Sequence, residues 1–218
     1  MRTRSTAGFT LIELMVSLGI VALMLIALNT FVFSMGELWG KNTDYRIFHQ
    51  HVNAVSRFLE EELQTATLPP SARTSSVPVE PEQITPQDGL TDDLITFDLP
   101  AGCRILPWPD RPLPEVTCSL QVRQNEGLYL LWHSRLETTY STTPPREILL
   151  TPYCTTMQYD YYDDNFKKWT TYQTLQTDPS TGLYEMPQRI RLTFAYAKIP
   201  PFDVLIAVPA ALQGAPNY

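Results

Sequence analysis

Residues 8–28 read GFTLIELMVSLGIVALMLIAL, and this stretch decides the fold of the N-terminal part of the chain. The twenty residues from Leu14 to Phe33 carry no charge. A helix of that length, at about 1.5 Å per residue, spans roughly the 30 Å of a bilayer core. Glu13 is the single carboxylate of the quoted stretch. A carboxylate in an apolar membrane segment costs about 2.5–3.5 kcal/mol at the helix centre and less near its edge, so we expect Glu13 to have a partner.

The residues on either side of the apolar segment indicate its orientation. The leader MRTRSTAG carries Arg2 and Arg4 and no acidic residue. Basic residues tend to stay on the cytoplasmic side, which directs the rest of the chain across the membrane. After Phe33 the sequence continues MGELWGKN, without the small-x-small cluster of an ordinary signal cleavage site. We therefore predict a single-pass inner-membrane protein with a cytoplasmic N-terminus and a periplasmic body.

The order of residues at this junction resembles a known family. GFTLIELMVSLGIVAL is similar to the leader junction and first helix of type IV prepilins and pseudopilins. The resemblance implies that a prepilin peptidase cuts the Gly8–Phe9 bond and methylates the new N-terminus on Phe9. Residues 1–8 would then be a leader peptide, and Glu13 would be the fifth residue of the mature chain.

The same resemblance suggests an assembly role for Glu13. After cleavage, the amine of Phe9 on a neighbouring subunit is the obvious partner for the carboxylate. That attraction is strong only when the two groups align in a low dielectric, so it would fix the axial register of a joining subunit. The alternative is that Glu13 lies at the headgroup level of a plain membrane anchor and needs no partner.

The apolar pattern beyond the membrane segment has a helical period. Apolar residues recur at steps of three or four: Tyr45, Phe48, Val52, Val55, Leu59 and Leu63. We predict one helix from about Phe9 to about Thr67, with 9–33 in the membrane or filament and 34–68 as its amphipathic continuation. Pro69 and Pro70 would end it. Residues 69–92 are rich in proline, and we predict a loop there.

Short alternating segments follow over residues 93–218 and read as strands. They are 93–99, 116–123, 127–134, 147–150, 156–162, 166–173, 189–197 and 203–208. Turns separate them with no helix between, so we expect antiparallel pairing, with hairpin turns at 125–127 and 163–165. The predicted fold class is α+β, a long N-terminal helix packed on an antiparallel β domain of two sheets, as in pilins.

The aromatic and acidic residues of one hairpin allow two interpretations. Tyr159, Tyr161 and Trp169 form either a binding cluster or, as we favour, inward-facing core. Asp160, Asp163, Asp164 and Asn165 do not have the spacing of a calcium loop. His49 and His51 are two residues apart and point to different faces of a helix, so they cannot chelate one metal as an i, i+4 pair can. We expect no metal ion and no cofactor.

Charge and cysteine content limit the classes of function and the kinds of covalent cross-link that the chain can have. The net charge is −7 and no block of Lys or Arg occurs, which argues against nucleic-acid binding. Cys103, Cys118 and Cys154 show no C-x-x-C spacing. Cys103 and Cys118 bracket a Pro-rich loop and are the candidate disulfide pair in an oxidising compartment. Three unpaired thiols are the alternative.

Residues further along the chain narrow the resemblance. FLEEELQTA, the Tyr-rich segment leading to Trp169, and PQRIRLTF are similar to the J-type minor pseudopilin of type II secretion systems (general secretion pathway protein J). Leu59, Glu60 and Leu63 fit that pattern, and Glu62 stands where Asp is usual. Tyr159, Tyr161 and Trp169 also fit, and Pro187, Ile190 and Arg191 fit approximately. Residues 69–115 match nothing in the pattern.

The J-type resemblance implies a role without catalysis. With I-type and K-type minor pseudopilins such a protein starts the pseudopilus at its tip, above the major pseudopilin, and supports export across the outer membrane. The alternative within the same class is a minor type IV pilin for adhesion, motility or DNA uptake. An anchored enzyme is the contrasting class, but the chain has no G-x-S-x-G, P-loop or H-E-x-x-H motif, so we predict no catalytic residues.

Overall fold

The computed structural model describes residues 10–66, 79–87, 89–109 and 111–209. The described elements are α1 (Leu11–Thr65), β1 (Val79–Ile84), β2 (Asp92–Leu99), β3 (Val116–Arg123), β4 (Gly127–Ser134), β5 (Arg146–Thr151), β6 (Cys154–Asp163), β7 (Lys168–Tyr172), β8 (Arg189–Tyr196) and β9 (Ile199–Ala207). The chain divides into two compact units, Met1–His49 and Gln50–Tyr218.

The predicted single long helix is confirmed, because α1 runs without interruption from Leu11 to Thr65. In the first unit its side chains from Leu11 to Glu37 are all exposed, although most are apolar. Further along, Phe48 is buried and Tyr45 is about half exposed. Tyr45 therefore departs from the periodic apolar pattern to which the sequence analysis assigned it.

In the second unit, the last part of α1 contributes to a core. Val52, Val55, Leu59 and Leu63 are buried there, as their spacing of three and four residues predicts. The neighbouring His51 is anchored by two contacts. Its Nε2 lies 3.0 Å from Oγ1 of Thr151 at the end of β5, and its ring packs edge-on against Tyr153. Apolar packing and one polar contact thus fix residues 50–65 on the β structure.

The first sheet has five antiparallel strands in the order β1-β2-β3-β4-β5. Its strand β1 corrects the sequence analysis, because Val79–Ile84 lies inside the segment predicted as a Pro-rich loop. Pro81 pairs with Ile95 of β2, and within the part of the chain that the structure describes β1 is at the edge of the sheet. A proline is tolerated on such an edge strand because the outer side of the strand needs no donor. The richness of this segment in proline was the reason for the loop prediction.

The second sheet has four antiparallel strands in the order β7-β6-β8-β9. The prediction of two antiparallel sheets and of an α+β, pilin-like fold is therefore confirmed. In this sheet Tyr159, Ile190 and Ile206 pair across three strands and lie together on the buried face. In the first sheet Phe97, Cys118 and Trp132 form the corresponding row. Both rows belong to the core of the second unit.

The position of Trp169 differs from the core position that we favoured. Tyr159 and Tyr161 are buried, but Trp169 is 38% exposed. Trp169 pairs with Tyr162 and so lies on the opposite face of the sheet. There its ring contacts Tyr162, and the Arg189 guanidinium lies 4.0 Å from its centroid. The alternation of side chains along β6 and β7 thus separates the three aromatic residues.

The two predicted hairpin turns are present. β3 and β4 are joined by a turn in which Asn125 and Gly127 have positive φ, as short hairpin connections require. β6 and β7 are joined by residues 164–167, where the Asp163 carboxylate accepts hydrogen bonds from the backbone N–H groups of Asn165 and Phe166. The acidic residues at this tip therefore stabilise the turn itself.

Candidate functional site

The first turn of α1 is closed by a reciprocal pair of polar residues. Thr10 precedes the helix, and its backbone N–H and its hydroxyl both donate to Oε2 of Glu13, at 3.1 and 3.0 Å. The backbone N–H of Glu13 lies 3.4 Å from the Thr10 hydroxyl oxygen. This arrangement is a capping box, in which two residues three apart satisfy each other's free backbone groups. Glu13 thus begins the helix as well as carrying its charge.

This local role of Glu13 was readable from the sequence and was missed. Thr10-Leu11-Ile12-Glu13 has the Ser/Thr-x-x-Glu pattern that marks a helix start before an apolar run. The cap occupies only one oxygen of the Glu13 carboxylate. The second oxygen has lone pairs that can accept from an amine of another chain. The predicted pairing with the amine of Phe9 is therefore chemically compatible with the cap.

The apolar part of α1 has the properties of a membrane span. Leu11–Glu37 is 27 residues long, is apolar enough to cross a bilayer, and has none of its side chains buried within the chain. A helix that is hydrophobic all round is stable only against lipid or other apolar helices. The exposure of this segment therefore requires an environment that the rest of the chain does not provide.

The two residues of the predicted processing site, Gly8 and Phe9, lie outside the described residues. Cleavage and methylation there stay predictions of the sequence. The first described residue, Thr10, directly follows this bond and belongs to the cap of α1. The predicted cleavage point would therefore leave the start of the helix intact.

The three cysteines are free thiols in the structure. Cys118 and Cys154 are buried, and Cys103 is half-buried in the loop between β2 and β3. Burial raises the pKa of the Cys103 thiol to about 11 and of the Cys154 thiol to about 12, and it also raises the pKa of Cys118. These thiols are therefore poor nucleophiles at neutral pH. The Cys103–Cys118 disulfide is not formed here and stays a prediction for an oxidising compartment.

Among the described residues, no group of three or more His, Cys, Asp or Glu side chains is arranged to hold a metal ion. The acidic residues considered for calcium have other partners. Asp160 accepts from Arg191 at 2.8 Å and from Thr171 at 2.6 Å. Asp164 pairs with Lys167. In this part of the chain the carboxylates of the β6–β7 hairpin thus have structural roles.

Two arginine–carboxylate pairs hold the start of β5, at its first two residues. Arg123 binds Glu147 through two 2.7 Å contacts, and Arg146 binds Glu137 through contacts of 2.7 and 2.9 Å. Hydrogen bonding from these guanidinium groups lowers the pKa of both carboxyls. Paired two-point contacts of this kind orient strands and loops rigidly. We assign them to stability rather than to chemistry.

The comparison with known protein families agrees with the N-terminal geometry. Residues 3–29 match the model of the prokaryotic N-terminal methylation motif, which includes Gly8, Phe9 and Glu13. No curated protein matches the chain. The motif implies processing by a prepilin peptidase and assembly of the pilus kind, and the exposed apolar helix indicates a membrane-anchored protein. The chain thus has the N-terminus of a type IV prepilin-like protein.

Proposed function

We propose that this chain is a J-type minor pseudopilin that joins the tip of a type II secretion pseudopilus and initiates its assembly. The observation that carries the proposal is the exposed apolar helix, which begins at a methylation motif and has Glu13 in its first turn. Such a helix can lie first in lipid and then against the helices of neighbouring subunits. Glu13 would set the register of that transfer by pairing with the neighbour's Phe9 amine.

Several residues of the J-type pattern support the narrower part of the proposal through their structural roles. Leu59 and Leu63 are buried in the core. Tyr159 is buried in β6, and Arg191 of β8 binds its neighbour Asp160. These residues stabilise the packing of the helix and the pairing of strands in the second sheet. A family that shares this fold needs such residues at these positions.

The same proposal includes location, partners and the absence of catalysis. The leader arginines favour a cytoplasmic N-terminus before processing and a periplasmic globular domain. The expected partners are the prepilin peptidase, the I-type and K-type minor pseudopilins, the major pseudopilin and the inner membrane. We propose no enzymatic activity, because the sequence has none of the catalytic motifs considered above, and His133, the only histidine of the strand region, packs on Tyr140. We also propose no nucleic-acid partner, given the net charge of −7.

The test is incorporation of full-length variants in a cell that carries the secretion system. Glu13→Ala should reduce co-purification with I-type and K-type pseudopilins and reduce secretion, because the register contact is lost. Glu37→Ala is the matched control, since Glu37 lies at the other end of the exposed apolar segment. Both variants keep the Gly8–Phe9 bond, so normal processing shows that the chain reached the membrane.

Two results would contradict the proposal. Normal incorporation and secretion by Glu13→Ala would remove the assembly role of the carboxylate. Co-purification with type IV pilins instead of I-type and K-type pseudopilins would assign the chain to a pilus, which uses the same methylation motif. The genes beside this one offer a separate check, because a secretin with pseudopilins favours secretion, whereas a retraction ATPase with adhesins favours a pilus.

A further inference from the structure

A cavity of about 480 Å³ lies between the β6–β7 hairpin and the loop formed by residues 176–185. It belongs wholly to the second unit, far along the chain from the N-terminal motif. Its lining includes Tyr161, Tyr172, Asp163, Asp164 and Glu185. Among the described residues, no lysine or arginine lines it. The cavity therefore combines aromatic surface with negative charge.

The aromatic part of the cavity is held in a fixed position. Tyr161 and Tyr172 meet edge to face, with their ring centroids 5.8 Å apart. The Tyr161 hydroxyl accepts from the backbone N–H of Gln176 at 3.1 Å and donates to the carbonyl oxygen of Glu185 at 3.3 Å. These two bonds tie the loop to the hairpin. Tyr172 is 40% exposed, so its ring remains available to a ligand.

The loop that forms the opposite wall is also preorganised. Thr177 and Tyr184 form a bridge between its two sides. At its turn, the Asp178 carboxylate accepts from the backbone N–H and the hydroxyl of Ser180, at 2.7 and 2.6 Å. A ligand would therefore meet a cavity that needs little ordering on binding.

The three carboxylates of the cavity differ in the hydrogen bonds and ion pairs that they already form. Asp163 has one oxygen engaged by the hairpin turn, and Asp164 contacts Lys167 at 3.4 Å on an exposed surface. Within the part of the chain that the structure describes, the Glu185 carboxylate has no hydrogen bond or ion pair. Glu185 is thus the carboxylate best able to bind a cation in the cavity.

We propose that this cavity binds an arginine side chain presented by a basic segment of a partner protein. A guanidinium can stack on an aromatic ring with its face and donate to a carboxylate from its edge, and the cavity offers both kinds of group in Tyr172 and Glu185. An acidic ligand would be repelled by the three carboxylates. This inference does not depend on the proposed role in secretion, because no residue of the N-terminal motif takes part.

The direct test is peptide binding to the full-length chain in non-ionic detergent micelles, followed by ligand-observed NMR. The probes are acetyl-Gly-Arg-Gly-amide and, as the neutral match, acetyl-Gly-Gln-Gly-amide. We expect line broadening of the arginine peptide only, and weaker binding at high salt, because exposed charges are screened there. Glu185→Gln and Tyr172→Leu should each weaken binding by about fivefold or more.

Glu126→Gln is the matched control, because Glu126 is an exposed carboxylate at the β3–β4 turn, outside the cavity. It should bind the arginine peptide as the unaltered chain does. Near-ultraviolet circular dichroism would verify that all variants are folded. Equal binding of the two peptides, unchanged binding by Glu185→Gln, or binding of Ca²⁺ without binding of the arginine peptide would each overturn the proposal.

Discussion

At the scale of single residues, Asp160 shows how a buried charge holds the second sheet together. Its side chain is 2% exposed and accepts from Arg191 and Thr171. Arg191 also binds Asp203, whose side chain is 42% exposed. The two carboxylates thus bind the same guanidinium but differ in burial. Substituting each in turn therefore tests the effect of burial.

We predict that Asp160→Ala lowers the free energy of unfolding by about 3 kcal/mol, because it leaves a partly buried guanidinium without its main partner. Asp203→Ala should cost less than about 1 kcal/mol, as an exposed pair does. Urea unfolding followed by tryptophan fluorescence measures both. Equal costs for the two variants would show that burial does not set the strength of this network.

A second residue links stability to pH. His133 packs on the ring of Tyr140, with the centroids 4.1 Å apart, and faces the charged groups of Glu137, Arg135 and Arg146. Burial, with a smaller contribution from the two arginines, lowers the pKa of His133 from 6.5 to about 4, and Glu137 opposes this shift. The folded protein therefore keeps this imidazole neutral.

The sign of the pH effect follows from that shift. Between pH 6.5 and about 4 the unfolded chain binds a proton at His133 that the folded chain does not bind. The contribution of His133 to the free energy of unfolding should therefore be fully present above pH 6.5. The free energy of unfolding should fall as the pH is lowered through this window. His133→Gln should flatten the curve between pH 6.5 and 5. An unchanged slope in that variant would assign the effect to other groups.

At the scale of elements, the β3–β4 hairpin depends on one glycine. Gly127 has φ +112°, and a Cβ there would lie 2.1 Å from the carbonyl oxygen of Thr151 and 2.6 Å from Cα of Pro152. Both contacts are to backbone, which cannot move aside like a flexible side chain. The end of β5 and the turn that leads from it to β6 therefore pack directly on this glycine.

We predict that Gly127→Ala lowers the free energy of unfolding by about 2–4 kcal/mol, through backbone strain and overpacking together. Gly89→Ala is the control, because Gly89 also has positive φ but no atom of the described residues lies within 4 Å of its missing Cβ. It should cost about 1 kcal/mol, the conformational term alone. Thermal unfolding of both variants separates the two contributions, and equal costs would contradict the role of the close contact.

The sequence predicts some elements better than others for physical reasons. β3 and β4 have the predicted bounds, because alternating apolar residues flank a recognisable turn. β1 escaped prediction because a proline such as Pro81 is tolerated in a sheet mainly on an edge strand, and the sequence alone does not show which strand is at an edge. Trp169 was placed on the wrong face because the register of β7 depends on the turn geometry.

Some candidate sites are likewise predictable from the sequence, and others are not. Gly8, Phe9 and Glu13 are readable because the motif is linear, and the cap from Thr10 to Glu13 is readable for the same reason. The Asp160–Arg191 pair joins residues 31 apart in sequence, and the cavity joins a hairpin to a separate loop. Such contacts depend on the tertiary fold, so no spacing rule predicts them.

At the scale of the whole molecule, the two units have opposite solvent requirements. The second unit has its own apolar core and satisfied ion pairs. The first unit exposes an apolar helix from Leu11 to Glu37. A chain of this kind needs a membrane before assembly and neighbouring helices afterwards, and the methylation motif beside the helix accounts for both.

Cleavage and methylation at the Gly8–Phe9 bond can be tested directly by mass spectrometry of the N-terminus. The protein should be isolated from cells with an active prepilin peptidase. We expect a chain that lacks residues 1–8 and begins with N-methylated Phe9. Cells without the peptidase should yield the chain with its leader still attached. An intact leader in the peptidase-positive cells would contradict the central claim that this helix is that of a processed, filament-forming subunit.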